Sequence, residues 1–84
     1  MNNPVLIRVV LTANATPVTP LRLVATFTLV VPPKNSEDSV LSDGKGGSVD
    51  LLIGAQYRFE KVNLAELSIR GKPGEEVFVI GHTA

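Results

Sequence analysis

The residues of this chain that could carry out catalysis or bind a metal are few and lie far apart. His82 is the single imidazole, and there is no cysteine. A structural zinc site needs several such ligands, and a serine nucleophile needs a base in a context such as a nucleophile elbow, which is absent from the sequence. The sequence therefore predicts a protein that is not an enzyme and needs no metal or other cofactor, with His82 exposed near the end of the chain.

Two polar stretches have compositions that suggest ion binding. Residues 43–47 (DGKGG) resemble a phosphate loop in composition but lack its spacing of glycines, lysine and hydroxyl residue, so they are interpreted as a hairpin tip. Glu37, Asp38, Asp43 and Asp50 lack the alternating ligands and central glycine of a calcium loop. They predict a solvated acidic segment, with a weak cation site as the alternative.

The charge balance argues against nucleic acid and membranes as partners. Eight basic and eight acidic side chains give zero net charge, so no overall field attracts a polyanion. Tyr57 and Phe59 alternate around Arg58 as base-stacking aromatics can, but without a basic groove they are predicted to be core residues. Neither a signal peptide nor an apolar run long enough for a membrane helix is recognised, which predicts an intracellular protein.

These side chains belong to a chain of 84 residues, the size of one small domain with a thin core. Charged residues make up 19% of it, against about 25% in typical domains. We therefore expect protein to cover part of its surface. The predicted organisation is a single domain over residues 1–84, with a flexible N-terminal arm at residues 1–4 and a long polar loop at residues 32–47.

Alternating and β-branched residues predict six to seven short strands. They lie at residues 5–12, 21–31, 40–41, 49–53, 56–62, 67–70 and 76–80. In residues 21–31 the odd positions are all apolar and form a predicted core face that begins at Leu21. The absence of a sustained helical period predicts an all-β fold, a small antiparallel β-sandwich or jelly-roll-like barrel.

Three local features sharpen this prediction. Asn63 is predicted to cap a single turn by accepting a backbone N–H. The segment Gly71-Lys72-Pro73-Gly74 has the residues of a type II turn and is predicted to close a hairpin between the last two strands. The final strand has Val77 and Val79 on one face and Phe78 and Ile80 on the other, so one apolar face lacks cover and is a predicted interface.

The order of the closing segments is the basis for a resemblance to a known family. The segments are Leu51-Leu52-Ile53-Gly54, Gln56-Tyr57-Arg58-Phe59, Asn63-Leu64-Ala65-Glu66, Leu67-Ser68-Ile69-Arg70, Gly71-Lys72-Pro73-Gly74 and Val77-Phe78-Val79-Ile80-Gly81. In this order they resemble the small β-sandwich virion proteins of tailed bacteriophages, over about half the chain. Residues 32–38, with paired prolines and charges, depart from the Asn-rich stretch of that family.

The resemblance implies a capsid decoration or cement protein, located in the virion and made in the cytoplasm of the bacterial host. It predicts a homo-oligomer, a trimer, that binds the major capsid protein at capsomer junctions. The alternatives are a tail, adaptor or fibre module of the virion and a small non-enzymatic cytoplasmic binding domain. Because arms and long loops order on binding, the predicted partner-binding residues include both of them. They are Asn2, Asn3, Pro4, Pro32, Pro33, Lys34, Val40, Leu41, Phe78 and Ile80.

Overall fold

The chain folds into two four-stranded antiparallel sheets that enclose one apolar core. The computed structural model describes residues 3–83. The strands are β1 (Pro4–Val10), β2 (Thr16–Pro17), β3 (Val24–Val30), β4 (Ser39–Ser42), β5 (Ser48–Leu51), β6 (Gln56–Asn63), β7 (Ser68–Arg70) and β8 (Glu76–Thr83). The predicted all-β sandwich is confirmed. One strand more than predicted is present, because Thr16 and Pro17 pair with β7.

The pairing of the strands identifies a jelly roll. The first sheet has the order β1-β8-β3-β6 and the second has the order β2-β7-β4-β5. Thus β1 pairs with β8, β2 with β7, β3 with β6 and β4 with β5, as if one long hairpin with its tip at residues 43–47 had been rolled up. Rolling brings β8 beside β3 and β7 beside β4, which gives the double-sheet arrangement of jelly rolls.

The core consists of alternate side chains from both sheets. In β3 and in the first half of β8 every second residue is buried, as the period of a half-buried strand requires. Phe27 stacks on Phe59 with 5.2 Å between ring centroids. The fully buried apolar side chains are Leu11, Ala25, Phe27, Leu29, Val31, Leu51, Leu64, Ile69, Val77 and Val79. Within residues 3–83, no helix is long and apolar enough to span a membrane.

The predicted turn at residues 71–74 is present, but the predicted hairpin is wrong. The Glu75 N–H donates to Lys72 O at 3.1 Å, and Gly74 has φ +91°, as a type II turn requires. However, the strand before the turn belongs to the second sheet and the strand after it to the first. The Gly71 and Gly74 N–H groups donate to Thr12 O and Leu11 O, at 2.9 and 3.1 Å, so the turn is tied to the end of β1 and crosses between the sheets.

The observed strand bounds differ from the predicted ones by up to three residues, and the starts of β3 and β1 change where predicted residues lie. Strand β3 begins at Val24, and Leu21, predicted to be in the core face, is 78% exposed in the bend that precedes it. Pro4, assigned to the predicted arm, is the first residue of β1 and pairs with His82. Asn3 is bonded to Thr83 through two hydrogen bonds, which leaves only residues 1 and 2 of the predicted arm, and these lie outside the described part of the chain.

The alternation of β6 is interrupted by a bulge. Lys61 has φ +53°, its N–H donates to Thr26 Oγ1 at 3.2 Å, and the register with β3 shifts between Ala25 and Phe27. Strict alternation from Tyr57 and Phe59 predicts that Lys61 faces inward and Val62 outward. The extra residue reverses these faces, so that Lys61 is exposed and Val62 packs against the core.

Candidate interaction surface

The outer face of β1 and β8 carries large apolar side chains. Leu6 is 75% exposed, Val10 is 55% exposed and Ile80 is 51% exposed, while Phe78 beside them is half-buried. These four residues are termed the β1–β8 patch. Because both strands already place apolar side chains in the core on their other face, the patch is surplus to the packing of the subunit. Exposed contiguous apolar surface of this kind marks interaction sites.

The centre of the patch is a shallow depression of about 350 Å³. Its side-chain walls are Leu6 and Ile80, which lie directly opposite each other, and Arg8 and Phe78, which form the next opposing pair. It is open to solvent along the strands and rests on the backbone of the sheet. This shape suits a flat protein contact better than an enclosed small molecule, most of whose surface a pocket must bury.

A cluster of charges borders the patch. The Glu76 carboxylate accepts from Lys34 Nζ at 2.6 Å and lies 3.2 Å from Arg8 Nε. The Lys34 hydrogen bond, together with the positive charges of Lys34 and Arg8, holds the pKa of Glu76 below its usual range. The Lys34 ammonium also lies 5.8 Å from the centre of the Phe78 ring. Two cations thus share one carboxylate, which leaves an excess positive charge at the border of the patch.

Hydrogen bonds join the first part of the predicted polar loop to the start of β8. Glu75 accepts from the Ser36 N–H at 2.6 Å and from the Glu37 N–H at 3.3 Å, and the Ser36 hydrogen bond holds the pKa of Glu75 below its usual range. The buried Asn35 side chain donates to Glu76 O at 2.7 Å and accepts from the Glu76 N–H. This part of the loop is therefore an ordered border of the first sheet.

The structure brings together some of the predicted partner-binding residues. Lys34, Phe78 and Ile80 meet at the β1–β8 patch. Asn3 and Pro4 lie at the start of β1, beside the end of β8 and on the same pair of strands. These five predicted partner-binding residues therefore lie on one continuous part of the surface.

Other predicted partner-binding residues lie elsewhere. Leu41 is only 6% exposed and Pro32 is also buried, so both side chains belong mainly to the interior of the subunit. Val40 is half-buried in β4, in the second sheet, and Pro33 is exposed. Asn2 lies outside the described residues. A short strand at residues 40–41 was predicted, but nothing local indicated which of its two apolar residues points inward.

Sequence reasoning omitted Leu6, Arg8 and Val10 from the candidate site. Their signal was present, since the outer face of the first strand had two apolar residues around a single charge. What the sequence lacked was the pairing of β1 with β8, which places Leu6 opposite Ile80 and makes one patch from two distant segments.

Asp43, one of the residues that suggested ion binding, has a structural role. Asp43 Oδ1 accepts from the N–H groups of Lys45 and Gly47, at 2.7 and 3.0 Å, and these bonds lower the pKa of Asp43. They close the tip of the β4–β5 hairpin, which confirms the predicted hairpin tip. His82 is exposed on β8. Within residues 3–83, no three histidine, aspartate or glutamate side chains are grouped so as to hold a metal ion.

A second apolar depression, of about 340 Å³, opens between the two sheets at the β5–β6 edge. Leu41, Val49, Phe59 and Leu67 contribute its apolar walls, and the hairpin tip at Asp43 borders it.

Comparisons of the chain with protein-family models, with curated proteins and with solved structures found no match. Function must therefore be inferred from the fold and from these surfaces.

Proposed function

We propose that this protein is a structural component of a bacteriophage virion, a capsid decoration or cement protein that acts by binding copies of itself and the capsid shell. The observation that supports this function best is the β1–β8 patch, a flat apolar surface on a rigid sheet. Jelly rolls are frequent in viral capsid proteins. Because one fold serves many functions, the proposal depends on the patch more than on the architecture.

The size of the domain suits a role in assembly. A standard protein interface covers about 800 Å² on each partner, and the whole subunit exposes 5072 Å². One contact of that size would cover about a sixth of its surface. The proposed assembly is a homotrimer seated at capsomer junctions, with the major capsid protein as the second partner. A protein that binds only the assembled capsid shell stabilises the shell, because binding shifts the equilibrium towards the assembled form.

Virion composition provides the direct test. Purified particles should contain the chain in many copies, and particles that lack it should release their genome at a lower temperature. Detection at a single vertex by electron microscopy would instead favour a tail, adaptor or fibre module. Absence of the chain from virions, or equal heat resistance without it, would contradict the proposal.

Sedimentation of the isolated protein tests the self-association. Phe78→Asp places a charge in the patch and should dissociate the oligomer while the subunit stays folded by circular dichroism. Gln56→Asp, at an exposed position on the same sheet but on its far edge strand β6, is the matched control and should leave the oligomer intact. An unmodified protein that is monomeric at all concentrations would count against self-association.

A small binding domain is the second candidate function, and the apolar depression between the sheets favours it. With about 340 Å³ and apolar walls, it falls within the range of small-ligand pockets. An apolar fluorescent dye should bind there, and Val49→Asp should abolish binding because Val49 is 58% exposed at the wall. Equal dye binding by the variant would exclude this depression as the site.

A further inference from the structure

The two ends of the β1–β8 ladder show which backbone groups of β1 are free. Leu11 N donates to Glu75 O at 2.7 Å and Thr83 N donates to Asn3 O at 2.9 Å, and each of these bonds joins residues that lie directly opposite each other. In an antiparallel ladder such hydrogen-bonded pairs recur every second residue. The odd-numbered residues of β1 therefore exchange hydrogen bonds with β8.

The even-numbered residues direct their backbone groups away from β8. The N–H and C=O groups of Leu6, Arg8 and Val10 point to the free edge of the sheet, since β1 is its terminal strand. Within residues 3–83, no hydrogen bond beyond the strand ladders involves these groups. Together with Pro4, the same three residues carry the exposed side chains of β1, so the free edge adjoins the β1–β8 patch.

The opposite edge of the sheet is protected, whereas the edge at β1 is open. Val31 N donates to Ala55 O at 3.0 Å, so the edge-directed groups of β6 belong to even residues that include Arg58 and Glu60. Exposed charges and bulges hinder the pairing of an edge strand with a strand of another chain, and β6 has both, in these two residues and in the bulge at Lys61. The register of β1 with β8 is continuous along the strand, and Arg8 is the one charged residue of β1. The β1 edge can therefore accept another strand.

The charges on this edge disfavour a second copy of β1 as its partner. Two-fold antiparallel pairing that uses all three free residues sets Arg8 against Arg8 of the second copy, and like charges in opposition are destabilising. A shift of the register towards Pro4 uses a residue that has no N–H to donate. Moreover, Arg8 shares the Glu76 carboxylate with Lys34, so the site has room for one more negative charge.

The acidic residues in the described strands do not supply the complementary pattern. A matching strand needs an acidic residue opposite Arg8 with apolar residues two positions before and after it, opposite Leu6 and Val10. Asp50, Glu60 and Glu76 each lack an apolar side chain at one of these positions. The pattern therefore points to a different chain.

We propose that the free edge of β1 binds an extended segment of another protein as an added strand, with an acidic residue opposite Arg8 and apolar residues opposite Leu6 and Val10. This mode of recognition obtains affinity from main-chain hydrogen bonds and specificity from alternate side chains. The proposal of an added strand depends only on the backbone groups and side chains of β1. The identification of the partner as the capsid shell protein rests on the proposed function.

Amide hydrogen exchange of the full chain tests the proposal. The probe is a capped peptide in which a valine, a glutamate and a second valine occupy alternate positions and threonine occupies the positions between and around them. At ten times the dissociation constant of the peptide, exchange of the Leu6, Arg8 and Val10 amides should slow about tenfold. The Ile7 and Val9 amides, already bonded to β8, should change little. Unchanged exchange at Leu6, Arg8 and Val10 at every soluble peptide concentration would overturn the proposal.

A control peptide with lysine in place of glutamate should bind about fivefold more weakly, and Arg8→Glu should reverse that preference. Equal binding of the two peptides would overturn the charge assignment. Protection of the same amides that rises with protein concentration, without peptide, would overturn it in favour of a second copy. Absence of the chain from virions would remove the shell as partner and leave the peptide result standing, so the two failures are distinguishable.

Discussion

Leu6 and Ile80 face each other across β1 and β8, and both side chains are more than half exposed. Such a pair contributes little to folding, because a cross-strand pair is worth about 0.2 to 1 kcal/mol. We expect Leu6→Ala to lower the free energy of unfolding by less than about 1 kcal/mol. Leu29→Ala is the matched control in the same sheet, since Leu29 is fully buried, and it should cost about 2 to 5 kcal/mol.

Urea unfolding measures the loss of unfolding free energy in the two variants, and sedimentation measures self-association of the subunits. Leu6→Ala should weaken association while leaving the subunit folded. A cost for Leu6→Ala equal to that for Leu29→Ala would show that Leu6 belongs to the core.

Gly81 lies between Val5 of β1 and Phe27 of β3, and it has no room for a side chain. A Cβ atom at this position would lie 2.6 Å from the Cα of Phe27. Gly81→Ala must push two strands apart and should cost about 1 to 3 kcal/mol in thermal unfolding. His82→Ala, at the exposed neighbouring position, should stay within about 0.5 kcal/mol of the unmodified protein. Equal stability of the two variants would contradict this account of Gly81.

Asn63 joins the 3₁₀ turn Leu64–Glu66 to the entry of β3. Its Oδ1 accepts from the Ala65 N–H at 3.1 Å and from the Leu23 N–H at 3.0 Å, so the predicted cap is confirmed and has a second donor. Asn63→Ala leaves both donors without this acceptor and should cost about 1 to 2 kcal/mol, measured by chemical denaturation. Asn63→Asp retains the acceptor and should recover most of the loss. No recovery would indicate that the amide group itself is needed.

Glu75 and Glu76 make the stability of the protein sensitive to acid. Hydrogen bonds from Ser36 lower the pKa of Glu75, and the hydrogen bond from Lys34 lowers the pKa of Glu76. The folded state therefore binds these protons more weakly than the unfolded chain, and the stabilisation present at neutral pH is lost as the pH falls through the lowered values. The unfolding temperature should therefore decline as the pH falls through the ordinary titration range of a glutamate carboxyl and below it.

The Glu75→Gln and Glu76→Gln double variant should show a flatter dependence of the unfolding temperature on pH over the same range. An undiminished decline in the double variant would assign the acid sensitivity to other groups.

Local patterns in the sequence predicted most of the strands and much of their orientation. The alternation of residues 21–31 placed Phe27 and Leu29 on a core face, and both are buried. The alternation of residues 76–80 grouped Val77 with Val79 on one of two apolar faces, and the structure shows that this face is the buried one. The turn before Glu75 also followed from residue types alone. These features depend on a few neighbouring residues, because a strand period and a turn are properties of short stretches of backbone.

The partners of the strands could not be predicted in the same way. The Gly71 to Gly74 turn suits a hairpin, and only the bonds of Gly71 and Gly74 to the end of β1 show that the chain crosses to the other sheet. The bulge at Lys61 likewise depends on Thr26, far away in the chain. Many registers satisfy the same alternation, and packing of both sheets around a common core selects among them.

The sequence by itself determined an all-β chain with apolar residues on both faces of its last strand. The tertiary structure decided that Ile80 lies opposite Leu6 and that β1 ends its sheet with the backbone groups of Arg8 directed outward. The physical reason is that alternation is a local property of a strand. A patch or a free edge arises from the pairing of segments that are far apart in the chain and meet only when the core closes.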